Sequence, residues 1–364
     1  MVTPDKHLTC DLFCRVIDNY GDIGVCWRLA RQLHDEHDWR VRLWVDDIAV
    51  CAQLTQNTNI AGIDVCEWHT DFPAVMPADV VIEAFACELP ESYLQAMTTL
   101  EHAPVWLNLE YLCVESWGAG IHLQPSPHPR LPLTKYFFVP GILPGTAGVL
   151  KEADLLARQA SIDVEAARRQ YTDNIEGRWV FLFCYENPAL PMLLDVWAAS
   201  AEPVHCLVAA GKAHTQVSAW LGEDLSKHAR RGNLDLYALP FVAQRDFDDL
   251  LWTCDLNFVR GEDSFCRALW AAKPFIWHIY PQDERAHWTK LAEFQAHYTV
   301  PTALTALSSL WNGIITPELD AVAHAWHQLD TAWPMLQAWS AASRNRLDAL
   351  GNLAGNLAFF CKNR

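Results

Sequence analysis

What this sequence lacks narrows its reading first. Its twelve cysteines include no CxxC pair, and the nearest spacing is Cys10 to Cys14, so zinc-ribbon and dithiol redox motifs are set aside. No run approaches the roughly 18 apolar residues of a membrane span. The start, Met1-Val-Thr-Pro-Asp-Lys-His-Leu8, has no apolar core of the signal-peptide kind. Positive charge is scarce: 27 Lys and Arg stand against 44 Asp and Glu, a net charge of −17. General binding of nucleic acid or of anionic membranes needs a basic surface, so both are disfavoured. A local basic patch for a phosphorylated small molecule stays open. No repeats or low-complexity segments are visible. A cytoplasmic protein with buried, reduced thiols is the expectation.

What is present is a large apolar complement. Hydrophobic residues make up 51% of 364 residues, enough for two cores, and length alone suggests two domains. Most of the 17 tryptophans sit in apolar or helical surroundings, as Trp27, Trp44, Trp106 and Trp270 do, which reads as core packing. Apolar strands are expected at Leu12–Ile17, Arg40–Val45, Asp79–Ala84 and Pro104–Leu109, with helices at Gly24–Glu36 and near Pro90–Leu100. A Pro-rich stretch, Gln124–Pro144, surrounds a short strand at Lys135–Val139, and a charged helical segment runs from Lys151 to Tyr171. The alternation restarts after the polar patch Thr172–Gly177, with strands at Val180–Tyr185, Val204–Ala209, Leu234–Leu239, Leu256–Val259 and Pro274–Ile279. The tail from Pro317 reads as helices. This pattern predicts an α/β chain with mostly parallel sheets. Its domains are 1–172 and 173–345, followed by a helix at 346–364 that could cross back to the first domain.

Two charged turns follow strands. The first is Asp18-Asn-Tyr-Gly-Asp22, leading to Gly24. It lacks the GxGxxG fingerprint, which argues against dinucleotide binding. Gly21 and Gly24 would permit a tight turn and close approach of a ligand. Asp22 could cap the helix, and Asp18 could end the strand as an Asx turn. Asp46 and Asp47 after the second strand read as structural.

The second turn, Arg260-Gly-Glu-Asp-Ser264, ends a strand and opens a helix. A helix N-terminus presents unpaired N–H groups and suits phosphate oxygens, and open α/β sheets bind ligands at the carboxyl ends of strands. A structural account is equally open: Asp263 or Ser264 as a cap, and Arg260 paired with Glu262 or Asp263. Phe183-Cys-Tyr185 and Pro240-Phe-Val-Ala-Gln244 end other strands of the same half, so Tyr185 and Gln244 could reach one crevice. Glutamine suits a pyrimidine edge. His278 with Asp283 is a weak metal candidate without a third ligand, and His287 and His297 read as structural.

The segments Val16–Val25, Val81–Cys87, Arg260–Phe265 and Lys273–Glu284 closely resemble the EarP family, bacterial elongation factor P arginine rhamnosyltransferases. The resemblance implies an inverting, metal-independent glycosyltransferase of the GT-B type, with two Rossmann-like domains facing across a central cleft. It implies a C-terminal domain holding dTDP-β-L-rhamnose and an N-terminal domain receiving elongation factor P, whose modification supports translation at polyproline stretches. No cofactor, nucleic acid or membrane partner is implied. By matching motif, Asp22 would be the catalytic base and Glu262 a second essential carboxylate. Asn19, Tyr20, Gly21, Asp22, Tyr185, Gln244, Arg260, Gly261, Glu262, Asp263 and Ser264 would contact the donor. Asp18 would bind or orient the acceptor, and Phe183 and Phe241 would line the thymine pocket. The donor turn alone does not exclude a nucleotide-sugar transferase acting on a small molecule or glycan, whereas the carboxylate in the first turn argues against a non-catalytic nucleotide-sensing module.

Overall fold

The computed structural model describes residues 7–16, 20–55, 59–69, 71–282 and 285–364. The chain forms two compact units: residues up to Ala153 together with Leu347–Arg364, and Asp154–Arg346. Among the described residues no helix is long and apolar enough to cross a membrane.

The first unit is built on β1 (Thr9–Cys14), β2 (Arg40–Val45), β3 (Ile63–Glu67), β4 (Val80–Ala84), β5 (Val105–Leu109), β6 (Pro125–Pro127) and β7 (Thr134–Phe138), in the order β3-β2-β1-β4-β5-β7-β6. Only β6 runs antiparallel to its neighbour. Helices on a parallel sheet cover both faces, so the central strands are nearly continuous apolar runs. Buried polar exceptions are Asp11 in β1, Glu83 in β4 and Asn108 in β5, of which Asp11 is fully buried. Its carboxylate accepts two hydrogen bonds from Arg42, each 2.6 Å, one from Trp44 Nε1 at 3.0 Å and one from the Ala78 N–H at 3.0 Å. A buried charge is tolerable when satisfied in this way.

The second unit holds β8 (Arg178–Leu182), β9 (Val204–Val208), β10 (His228–Arg231), β11 (Leu234–Ala238), β12 (Leu256–Arg260) and β13 (Phe275–His278), in the order β10-β11-β9-β8-β12-β13. Here only β10 is antiparallel. The strand-helix alternation and parallel sheets match the expected α/β class. All twelve cysteines are free, and every one but Cys66 is buried.

Two differences from the sequence reading have physical causes. The expected boundary at 172/173 falls instead at 153/154. The helices Leu155–Ser161 and Val164–Arg169 are fastened to the second unit by long side chains that hydrophobic periodicity does not register. Arg168 Nη2 lies 2.8 Å from Asp255, and its guanidinium sits 5.3 Å from the Trp179 ring. Gln159 Nε2 donates to the Ala271 carbonyl at 2.6 Å. The patch Thr172–Gly177 is therefore a loop inside that unit. Strands β3, β6 and β10 and the helix Ile48–Thr55 were also not expected. The β10 sequence, His-Ala-Arg-Arg, is a largely exposed charged edge without an apolar signature.

The tail contains the helix Leu353–Lys362, capped by Asn352, which accepts from the Gly355 N–H at 2.7 Å. Leu353, Ala354, Leu357, Ala358 and Cys361 join Leu29 and Leu33 in the first unit's core. Leu357→Ala should therefore destabilise the unit carrying β1–β7 by about 2–5 kcal/mol, read from urea unfolding. A change below about 0.5 kcal/mol, the range of ordinary surface substitutions, would show that this helix is not part of that core.

Candidate active site

Among the parallel strands of each sheet the order reverses once, beside β1 and beside β8. Such switch points open a crevice at the carboxyl ends of the strands. The chain after β1 leads into the helix Gly21–His37, three residues earlier than expected, so Gly21 and Gly24 are helical and do not form a tight turn. The residue preceding the helix is Tyr20, with φ −93° and ψ −11° and no side-chain cap. Asp22 is accordingly not the cap. It lies in the first helical turn at 2% exposure, where the positive end of the helix dipole favours a carboxylate. Tyr20 donates its hydroxyl to Gln53 Oε1 at 2.7 Å. Asp18 and Asn19 lie outside the described residues. Asp46 and Asp47 are structural: Asp46 accepts from the Val16 N–H at 2.8 Å, and Asp47 from the N–H groups of Ala49 and Val50, both at 3.0 Å.

Across the same switch point, β4 runs into Phe85 and Ala86, with φ of 58° and 54°. Two consecutive non-glycine residues in the left-handed region are strained, a state that persists only where the surroundings enforce it. Part of that enforcement is visible in the Phe85 ring, stacked on Tyr111 with centroids 4.4 Å apart.

In the second unit, β8 and β12 flank the switch point, and the two motifs that follow them meet. Arg260 ends β12. Its guanidinium carbon lies 4.6 Å from the Phe183 ring centre and 4.7 Å from that of Tyr185. Among the described residues no carboxylate pairs with it, so the proposed Arg260–Glu262 and Arg260–Asp263 pairs are both absent. Glu262 instead pairs with Lys290, Nζ to Oε1 at 2.5 Å. Gly261, at φ +67°, makes the reversal that a side chain would strain. The turn is fixed from behind by Trp277, whose Nε1 donates to the Gly261 carbonyl at 2.6 Å.

The helix Asp263–Ala271 follows, preceded by Glu262, which makes no side-chain cap. Ser264, a candidate cap, instead donates its hydroxyl to the Arg260 carbonyl. Asp263 is the first helical residue. Gln244 begins the helix Gln244–Thr253, after β11 on the same edge, and Phe241 beside it is 41% exposed.

His278 ends β13, in register with Arg260. Its ring packs edge-on against Tyr185 at 5.3 Å and Trp311 at 5.9 Å, and its buried Nδ1 has no hydrogen-bond partner. Burial, with Arg260 nearby, pushes its pKa down to about 3, so the ring is neutral. Asp283 lies outside the described residues. Among the described residues no group of three His, Cys, Asp or Glu side chains is placed to hold a metal ion. His287 is structural, its Nδ1 accepting from the Gln282 N–H at 3.1 Å. Lys290 and the role of His278 under Tyr185 escaped the sequence reading. A lone lysine on a helix 28 residues from its partner carries no local signal.

Solved structures with this architecture include the glycotransferase of kitacinnamycin and a UDP-GlcNAc 2-epimerase from Neisseria meningitidis. MurG from Acinetobacter baumannii aligns over 98% of this chain and 100% of its own, with a TM-score of 0.55 and 11% identity, a likeness of fold alone. The architecture is the GT-B fold. A solved structure of EarP, described with arginine glycosylation of translation elongation factor EF-P, is 35% identical over 98% of this chain and 99% of its own, with a TM-score of 0.68. The protein-arginine rhamnosyltransferase of Pseudomonas putida is 45% identical, covering 98% of this chain and 99% of the relative. That of Pseudomonas aeruginosa is 41% identical over 96% and 98%. The model of the family described as "Elongation-Factor P (EF-P) rhamnosyltransferase EarP" matches residues 10–362. The chain belongs to the EarP family.

The neutral His278 has a consequence for stability. In the unfolded chain a histidine titrates near about 6.5. Between that value and about 3 the unfolded state binds the proton and the folded state does not. The stability contributed is thus complete above about 6.5 and declines as pH falls through this window. Unfolding free energies from about pH 6 to about pH 4 should fall less steeply for His278→Phe than for the wild type, by up to ~1.36 kcal/mol per pH unit. Equal slopes would show that His278 is protonated in the folded protein.

Proposed function

We propose that this chain transfers rhamnose from dTDP-β-L-rhamnose to a specific arginine of elongation factor P, with inversion at the sugar carbon and without a divalent metal. Family membership supports the reaction class. The observation that carries the donor reading is Arg260, a cation held against two rings at a switch point, beside a helix start whose preceding residue, Glu262, makes no side-chain cap. Ring faces fix a guanidinium without neutralising it, which leaves its N–H groups available to phosphate oxygens.

In this reading the leaving dTDP gains charge at its bridging oxygen, which Arg260 and the N–H groups at the start of the Asp263–Ala271 helix stabilise. Gln244 reads the thymine edge, and the exposed ring of Phe241 lines the base. Phe183 and Tyr185 serve chiefly by holding Arg260. Glu262 and Asp263 would repel a diphosphate, so at least one of them faces sugar hydroxyls or a cation. The first unit supplies Asp22.

The acceptor arginine is a poor nucleophile while protonated. A guanidinium pKa of about 12.5–13.8 against about 4 for a carboxylate is a gap of at least ~8 units, so full proton transfer before reaction would cost on the order of 11 kcal/mol. Asp22 therefore holds the guanidinium by charge-assisted hydrogen bonds and takes its proton as the C–N bond forms. Positioning supplies much of the acceleration.

Purified chain, elongation factor P and dTDP-rhamnose, with intact mass as readout, test the proposal. The acceptor should gain one deoxyhexose residue in excess EDTA as well as without it. No gain in mass would overturn the acceptor assignment, and a gain abolished by EDTA and restored by magnesium would overturn metal independence.

Asp22→Asn keeps the shape of the side chain and removes its charge. Single-turnover transfer should fall by about 10²–10⁴-fold, the span of general-base contributions, with donor affinity by calorimetry little changed. Near-normal transfer would remove Asp22 from the role of base.

A further inference from the structure

Glu262 occupies an unusual position for a carboxylate. It precedes a helix without capping it, next to Asp263 and after Gly261, whose positive φ makes the reversal. Its side chain is held by Lys290, at 2.5 Å, with the two side chains only 30% and 16% exposed. An exposed lysine–glutamate pair contributes little, because two flexible chains must be ordered in high dielectric. This pair differs in how its lysine is anchored. Lys290 lies on the helix Ala286–His297, one turn before Phe294 and on the same face. Phe294 packs perpendicular to Phe265 of the earlier helix Asp263–Ala271, centroids 4.9 Å apart, and contacts Trp277 at 5.9 Å. Trp277 is the residue that grips the Gly261 carbonyl. Aromatic packing thus fixes the helix bearing the ammonium to the turn bearing the carboxylate, so little further ordering is needed to form the pair.

We propose that Lys290 is a positioning residue for the donor reaction: its ammonium orients the Glu262 carboxylate and offsets its charge beside the donor diphosphate. The proposal rests on the donor reading above. Without Lys290 the Glu262 carboxylate loses this ion pair where a dianionic group must bind. Partly buried charges are screened little by salt, so the repulsion should be felt directly in nucleotide affinity.

The test is a cycle of four proteins, wild type, Lys290→Met, Glu262→Gln and the double variant, with Lys290→Arg as the conservative substitution. dTDP affinity is measured by calorimetry, single-turnover transfer by intact mass, and folding by melting temperature. Lys290→Met should weaken dTDP about tenfold, within the range of coupled neighbouring charges. Adding Glu262→Gln should bring the affinity back to within about twofold of Glu262→Gln alone, because the repelling charge has gone. Lys290→Arg should keep most of the affinity and transfer. A merely structural lysine would not give recovery on removal of a second charge. Should Lys290→Met not fold, Lys290→Gln takes its place in the cycle. Wild-type binding with an unchanged Lys290→Met variant, or a loss that Glu262→Gln does not relieve, would overturn the proposal alone. Failure of the wild type to bind dTDP would overturn the donor reading and the proposal with it.

Discussion

Reversal of strand order beside β1 and beside β8 governs where chemistry can sit in this chain. Parallel strands are joined by right-handed crossovers, so strands added on opposite sides of a central strand send their helices to opposite faces. The loops at the reversal diverge, and the carboxyl ends between them stay uncovered. Asp22 follows β1 and the strained Phe85–Ala86 pair follows β4. Phe183 and Tyr185 follow β8, and Arg260 to Ser264 follow β12. These four segments therefore descend from the placement of two reversals, whereas Phe241 and Gln244 follow β11, away from both.

The second unit's turn shows how a cation can be held ready without being neutralised. A carboxylate partner would satisfy Arg260 and also compete with any anion arriving later. Ring faces orient the planar guanidinium and leave its edge donors unspent. The neutral His278 packs behind Tyr185 and supports that ring without adding a charge of its own. Backbone and indole bonds to Gly261 then fix the turn that follows.

How much of this was legible in the sequence depends on the range over which each feature is encoded. β2, a compact run with turn residues on both sides, lies where periodicity puts it. The Arg260–Ser264 turn was legible as a strand-glycine-helix junction because its determinants are contiguous. Asp22 was read as preceding the helix and as a possible cap, whereas it lies in the first helical turn, since a Gly-rich start hides where helical backbone begins. The domain boundary was misplaced because polar composition at 172–177 resembles a linker. What ties the preceding helices to the second unit is a set of Arg, Asp, Gln and Trp contacts spread over about a hundred residues. The pairing of Glu262 with Lys290 is of the same long-range kind, and nothing local to either residue encodes it.

Those long-range pairs also resolve an apparent conflict in composition. A chain with a net charge of −17 looks ill suited to an anionic ligand. Long-range charge is screened over roughly 8–10 Å at ordinary ionic strength, so what an approaching diphosphate meets is the local arrangement. At the donor turn that arrangement is two cations, Arg260 and Lys290, beside two carboxylates, Glu262 and Asp263. The sum is near zero, but the groups are not equivalent. Lys290 is committed to Glu262, whereas Arg260 is committed only to ring faces. Affinity for phosphate in the proposed reaction then follows from which cation is left undischarged. A globally acidic surface is compatible with it, provided the lysine keeps one acidic neighbour occupied.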